Sequence, residues 1–147
     1  MAIVSSATAT WQGDLTSGSG EVSSNTSEHL RSLPVTWAAR TEDPQGRTTP
    51  EELLAAAHAA CFSMSFSSGL AKAGTVAERL TVTAEVTFDK AEVGWGVKSS
   101  HITVRGTVPG SSAEAFQRSA EAAKDGCPIS RALAGNVELS VEATLEG

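Results

Sequence analysis

Basic runs are missing from this sequence. Its 11 Lys and Arg are scattered among 17 Asp and Glu, giving a net charge of −6 and a pI near 5.0. Phosphates need a basic face, so nucleic acid is not an expected partner, and neither is an anionic membrane. Apolar runs are short as well, and none approaches the roughly 18 residues of a bilayer span. The opening MAIVSSATATWQGD lacks the basic and apolar regions of a secretory leader, so the expected location is the cytoplasm. Cysteine is scarce, with only Cys61 and Cys127. Their spacing is neither C-x-x-C nor a paired zinc pattern, and His29, His58 and His101 are dispersed, so no metal and no cofactor are expected. His58 has the ligand type for a site with the two cysteines, but reads as a satisfied core histidine. Structural disulfides are rare in the cytoplasm. Two thiols there are either small buried hydrophobes or reactive groups.

What is present suits one domain over residues 1–147, with 40% hydrophobic and 19% charged residues. Weak alternation predicts strands over 3–12 and 21–25, and a third over 34–40 with Val35, Trp37 and Ala39 on one face. A loop with Pro44 and Gly46 follows. Thr49-Pro50-Glu51-Glu52 then offers an N-cap, a first-turn proline and a glutamate three residues after the cap. The helix it opens is apolar or small nearly all round, which predicts burial, and Ala55-Ala56-Ala57 would admit a close backbone. Leu80, Val82, Ala84, Val86 and Phe88 alternate as a strand. A Gly94-Trp95-Gly96 turn leads to a second strand through Ile102 and Val104, with a bulge near Ser99-Ser100. Ser111 to Glu114 resembles a capping box for a helix whose apolar face is Ala113, Phe116, Ala120 and Ala123. That helix stops at Gly126. Cys127-Pro128 begins a helical turn to about Leu133, and 137–145 alternate as a last strand. The order βββ-α-ββ-α-α-β indicates an α+β fold, mainly antiparallel, around one long buried helix.

Local physics ranks the thiols. Cys127 precedes a helical turn, where a thiolate is stabilised. Cys61 lies in mid-helix among apolar neighbours, where burial raises a thiol pKa.

The segments TTPEELLAAAHAACFSMSF and AKDGCPISRALAGNVELSVEA resemble the OsmC/Ohr family, the osmotically inducible protein C and organic hydroperoxide resistance group. The likeness is greater to the OsmC branch. It implies an intertwined homodimer and a thiol-dependent peroxidase acting on organic hydroperoxides and, more weakly, on hydrogen peroxide. It further implies that Cys61 attacks the peroxide, that Cys127 resolves the product, and that Glu51 and Arg40 complete the site. Arg31 and Arg47 stand close to Arg40 as alternatives. An external dithiol, lipoyl rather than thioredoxin by resemblance, would restore the thiols. Leu54, Phe62 and Met64 are candidates either for an alkyl pocket or for plain core. The rival reading is a non-catalytic dimeric binding domain with idle core cysteines.

Helix geometry adds one expectation. Glu51 and Cys61 are roughly 15 Å apart along a straight helix, beyond the reach of a glutamate side chain. An antiparallel twofold contact centred on Ala56 would set Glu51 of one copy against Cys61 of the other, making two equivalent shared sites.

Overall fold

In a computed structural model describing residues 1–147, the chain divides into two units, Met1–Leu53 and Leu54–Gly147. The first begins with three antiparallel strands in the order β1-β2-β3: Ala7–Gln12, Ser19–Ser24 and Leu33–Val35. The β1–β2 turn starts at Gly13, whose φ of +91° favours glycine. Asp14 then closes it by accepting the Ser17 N–H at 2.7 Å and the Ser17 hydroxyl at 2.8 Å. The third strand is shorter than expected, because Thr36 turns the chain into a helix. Its side chain accepts the Ala39 N–H at 3.1 Å and caps α1, Trp37–Thr41. Arg40 therefore sits on a helix and not on a strand. The single buried apolar residue of this unit is Ala39.

Helix α2, Pro50–Lys72, runs from the first unit into the second. Thr49 caps it as expected, accepting the Glu52 N–H at 3.0 Å. Glu52 does not reach back to the cap; its carboxylate accepts the Thr48 hydroxyl at 2.6 Å. Only one stripe of α2 is covered: His58, Phe62, Phe66 and Leu70 recur every fourth residue and are buried. Ala56, Ala57, Ala60, Met64, Ser67 and Ser68 are exposed. The expected all-round burial is thus confined, within one chain, to a single face. By length and composition alone α2 could cross a membrane. Its buried stripe instead joins the packed core of the second unit.

That unit is built on a long hairpin of β4, Arg79–Ala91, and β5, Gly94–Thr107. The turn is Glu92-Val93, and the expected Gly94-Trp95-Gly96 turn lies inside β5. Thr87 pairs with Ser99 but Phe88 with Val97, so Lys98 is the extra residue of a bulge next to the expected place. β6, Glu138–Leu145, lies parallel to β5, the one parallel pair in sheets that are otherwise antiparallel, as expected. Parallel neighbours need a long crossover, which α3, Ala113–Gly126, and α4, Pro128–Leu133, supply. Ser112 caps α3 by accepting the Ala115 N–H at 3.1 Å, so Glu114 falls one position short of a capping box. Phe116, Ala120 and Ala123 face inward as expected, whereas Ala113 is exposed. The core joins these residues to Phe62, Phe66 and Leu70 of α2 and to Ile102 and Val104 of β5. Phe66 and Phe116 meet with ring centroids 4.9 Å apart. Gly106 makes room for them, since a Cβ there would lie 2.7 Å from the Phe116 ring.

Candidate functional site

The second unit brings its two cysteines together. Cys127 ends α3 and caps α4, with Pro128 at the first helical position, and is fully buried. Cys61 precedes Phe62, which is locked in the core, and so sits at the shoulder of the buried stripe, half-buried. Both are free thiols, and their sulfurs lie 2.9 Å apart, within hydrogen-bonding distance.

The surroundings of the two sulfurs differ. Burial pushes the Cys61 thiol up, and its hydrogen bond to Cys127 pushes it further; the Ile129 N–H and the Arg131 charge only partly offset this. Burial also pushes Cys127 up. There it is outweighed by the hydrogen bond shared with Cys61, by the Ser130 N–H and hydroxyl and by the Ile129 N–H, and the net direction is down. The two directions agree with the order expected from local physics. Arg131 was not foreseen. Its position in the turn after Cys127-Pro128 was the available clue.

Three residues before Cys61, His58 is completely buried. Its Nδ1 lies 2.6 Å from the Ser100 hydroxyl of β5, and its Nε2 lies 2.8 Å from the Ser130 hydroxyl of α4. Both ring nitrogens are occupied, the arrangement of a satisfied core histidine. Burial holds its pKa below the ordinary value of 6.5. Ser100 and Ser130 carry no sequence signal that separates them from the other serines.

The first unit makes a second pair. The Arg40 guanidinium grips Glu51 with Nη2 donating to Oε1 at 2.7 Å and Nε reaching Oε1 at 3.0 Å and Oε2 at 3.2 Å. Glu51 is buried, and the guanidinium also lies over the Trp37 ring at 5.9 Å. Of the alternatives, Arg31 pairs with Glu28 at 3.1 Å on an exposed surface. Arg47 lines a separate groove with Thr10, Glu21 and Thr36. A cavity of about 330 Å3, lined by Trp11, Leu15, Val35, Trp37 and Pro50, opens beside Arg40.

The three apolar candidates diverge. Phe62 is core, its ring 5.5 Å from Phe66. Met64 is 69% exposed and lines a groove with Ala57, Ala60, Cys61 and Ile129. Leu54 is half-buried and absent from that groove. The four proposed site residues thus form two pairs, Cys61 with Cys127 and Arg40 with Glu51. Along α2, Glu51 and Cys61 remain roughly 15 Å apart.

An α+β fold with a reduced dithiol, one sulfur on a long central helix and the other capping a short one, defines the class. Residues 42–142 match the OsmC-like protein family, and the chain belongs to that family. It is 38% identical over 132 residues to peroxiredoxin OsmC of Escherichia coli (strain K12), covering 90% of this chain and 91% of that one. To organic hydroperoxide resistance protein OhrA of Bacillus subtilis (strain 168) it is 34% identical over 95 residues, 65% of this chain and 66% of the relative. The crystal structure of OhrB of Bacillus subtilis shares the fold with a TM-score of 0.74, over 95% of this chain and 98% of that one, at 24% identity. The family match contains Glu51, Cys61 and Cys127 and begins just after Arg40.

Proposed function

We propose that this protein is a cytoplasmic, homodimeric thiol peroxidase, working as a single domain over its whole length, which reduces organic hydroperoxides through Cys61 and Cys127. The free dithiol with its sulfurs 2.9 Å apart carries this reading. The relatives named peroxiredoxin OsmC and organic hydroperoxide resistance protein support it. The Cys61 thiolate attacks the peroxide, the O–O bond breaks, and an alkoxide leaves and takes up a proton. The product is a sulfenic acid on Cys61. Cys127 displaces hydroxide from it, closing a disulfide and releasing water. An external dithiol, of the lipoyl type by family resemblance, then reduces the disulfide.

In one chain the local environment favours ionisation of Cys127, so attack by Cys61 needs a further cation. An Arg40–Glu51 pair supplied by the second copy provides it. The exposed alanine and methionine face of α2 is the surface such a copy would cover. Thiolate supply is the smaller part of that cation's work. Lowering a thiol pKa by about 2.5 units raises the thiolate about thirtyfold, but a Brønsted slope near 0.4–0.5 takes back about tenfold. Stabilising the departing alkoxide, whose charge develops in the transition state, is the larger effect.

Thiol titration before and after one equivalent of an organic hydroperoxide tests the reading. Loss of both thiols per chain is expected, and unchanged thiols would leave a dimeric binding domain with idle cysteines. Cys61→Ser should abolish peroxide consumption. Cys127→Ser should react once and leave a sulfenic acid that a dimedone-type probe traps; the reverse pattern would exchange the roles.

A further inference from the structure

Helices α2 and α4 are joined by two contacts that run side by side. Cys61 meets Cys127 with the sulfurs 2.9 Å apart, and His58 Nε2 lies 2.8 Å from the Ser130 hydroxyl. His58 stands three residues before Cys61, and Ser130 three residues after Cys127. Side chains three apart share one face of a helix, with Cβ atoms about 5–6 Å from each other. An N-cap residue such as Cys127 and the third helical residue, here Ser130, are neighbours in a similar way. The two segments therefore face each other in opposite directions, like the rails of a ladder with one sulfur rung and one imidazole rung.

The imidazole rung is the better anchored. Its Nδ1 lies 2.6 Å from the hydroxyl of Ser100. That serine is on β5, the middle strand of its sheet, paired with Val86 on one side and Leu139 on the other. His58 and Ser100 have no exposed surface and Ser130 has 1%, so water does not compete for either bond. Little else holds α4. Ser130 is its one buried residue, Ile129 and Leu133 are half-buried, and Pro128, Arg131 and Ala132 are exposed. Between the sulfurs themselves there is a single thiol–thiol hydrogen bond, and thiols are weak donors and acceptors. To form a disulfide of about 2.05 Å the sulfurs must still close by roughly 0.9 Å.

We propose that His58 is a positioning residue for the dithiol: bridged between Ser100 and Ser130, it holds α4 against α2 and keeps the two sulfurs within closing distance. The action is on separation, through the two helices, and not on the charge of either thiol. Its place in peroxide chemistry rests on the two-cysteine reading; the separation itself does not. Glutathione disulfide reports that separation. The Cys61 thiolate bonds one glutathione sulfur and releases the other glutathione as a thiolate. Cys127 then displaces the bound glutathione, so the protein dithiol is oxidised to a disulfide and glutathione disulfide is reduced to two thiols. The second step is intramolecular, and its equilibrium measures the effective concentration of one thiol at the other.

The test equilibrates the whole chain with glutathione buffers, without peroxide, and reads the dithiol–disulfide potential. Ser130→Ala leaves the imidazole without its α4 partner, and His58→Leu removes both bonds. Each should lower the effective concentration about tenfold, making the potential about 30 mV less negative. Ser130→Thr keeps the hydroxyl and should restore the potential. His58→Gln, whose carboxamide can reach Ser130, should restore most of it. Ser100→Ala, at the far end of the bridge and less disruptive, should shift it the same way by less. Phe66→Ala is the control for lost stability alone, and should lower the urea midpoint without moving the potential. Shifts in Ser130→Ala, Ser100→Ala and His58→Leu no larger than that of Phe66→Ala overturn the proposal. A shifted potential in a protein that consumes no peroxide would keep the positioning role and sink the peroxidase reading; an unmoved potential in an active peroxidase would do the reverse.

Discussion

The two units of this chain are built to different standards. Leu54–Gly147 encloses three phenylalanines, Ile102, Val104 and Cys127 among its fully buried side chains, whereas Met1–Leu53 buries Ala39 and little else that is apolar. All six residues of β1 are exposed, Trp11 among them. A unit of 53 residues has little volume for its surface, and this one leaves its aromatic residues around an open cavity beside Arg40. The dithiol is thus framed by close packing, while the arginine–glutamate pair stands on a scaffold with almost no apolar core of its own. In the proposed dimer the second copy supplies that cover, and peroxide chemistry becomes a property of the assembly.

The comparison can be broken most directly at its cores. Phe66→Ala should cost about 3–5 kcal/mol by leaving a cavity among Phe62 and Phe116, read as a lowered urea midpoint. Trp11→Ala should cost less than about 1 kcal/mol in dilute protein, with a further loss that grows with concentration if Trp11 is buried on assembly. Equal losses at both sites would show that the first unit has a core of its own. On the chemistry rather than the stability, the change to make is Arg40→Lys, which keeps the charge but not the two-nitrogen grip on Glu51. Stopped-flow measurement of the peroxide reaction should show a fall of about tenfold, with both thiols still free to close a disulfide.

The last effect concerns pH and belongs to the well-packed unit. His58 titrates below 6.5 when folded and near 6.5 when unfolded, so below that pH the unfolded chain binds the extra proton. Stability should therefore fall as the pH drops under 6.5, by up to about 1.4 kcal/mol per unit, and level off once the folded histidine is charged. His58→Gln should flatten that slope in denaturation midpoints compared across the range. An unchanged slope would mean that other groups carry the acid sensitivity.

Local signals were legible in the sequence, and non-local ones were not. Thr49 and Pro50 announce α2 because capping is decided within four residues. Cys127-Pro128 announces α4 for the same reason. The strand expected over Pro34–Arg40 ends at Val35 because Trp37 and Ala39 continue its alternation by chance over a helix of five residues, too short to show its own period. Thr36, a capping residue ahead of two alanines, was the better sign. The parallel pairing of β5 and β6 depends on a crossover of some thirty residues, which alternation within either strand cannot reveal. The covered stripe of α2 was hidden because nearly every face of that helix is apolar or small. Cys61, Cys127, Glu51 and Arg40 came from family motifs. The Ser100–His58–Ser130 chain joins positions 42 and 72 residues apart and needed the fold.

Subunit complementation tests the central claim, that the dithiol of one copy works with the arginine–glutamate pair of the other. Glu51→Ala and Cys61→Ser proteins, each inactive alone, are mixed in equal amounts under conditions that allow exchange, which is verified with distinguishable tags. Half the dimers are then mixed, and each holds one intact site, made from Cys61 of one chain and Glu51 of the other. The account predicts recovery of about a quarter of the wild-type peroxide consumption. No recovery after verified exchange would place Glu51 and Cys61 in the same chain's site and contradict the shared arrangement.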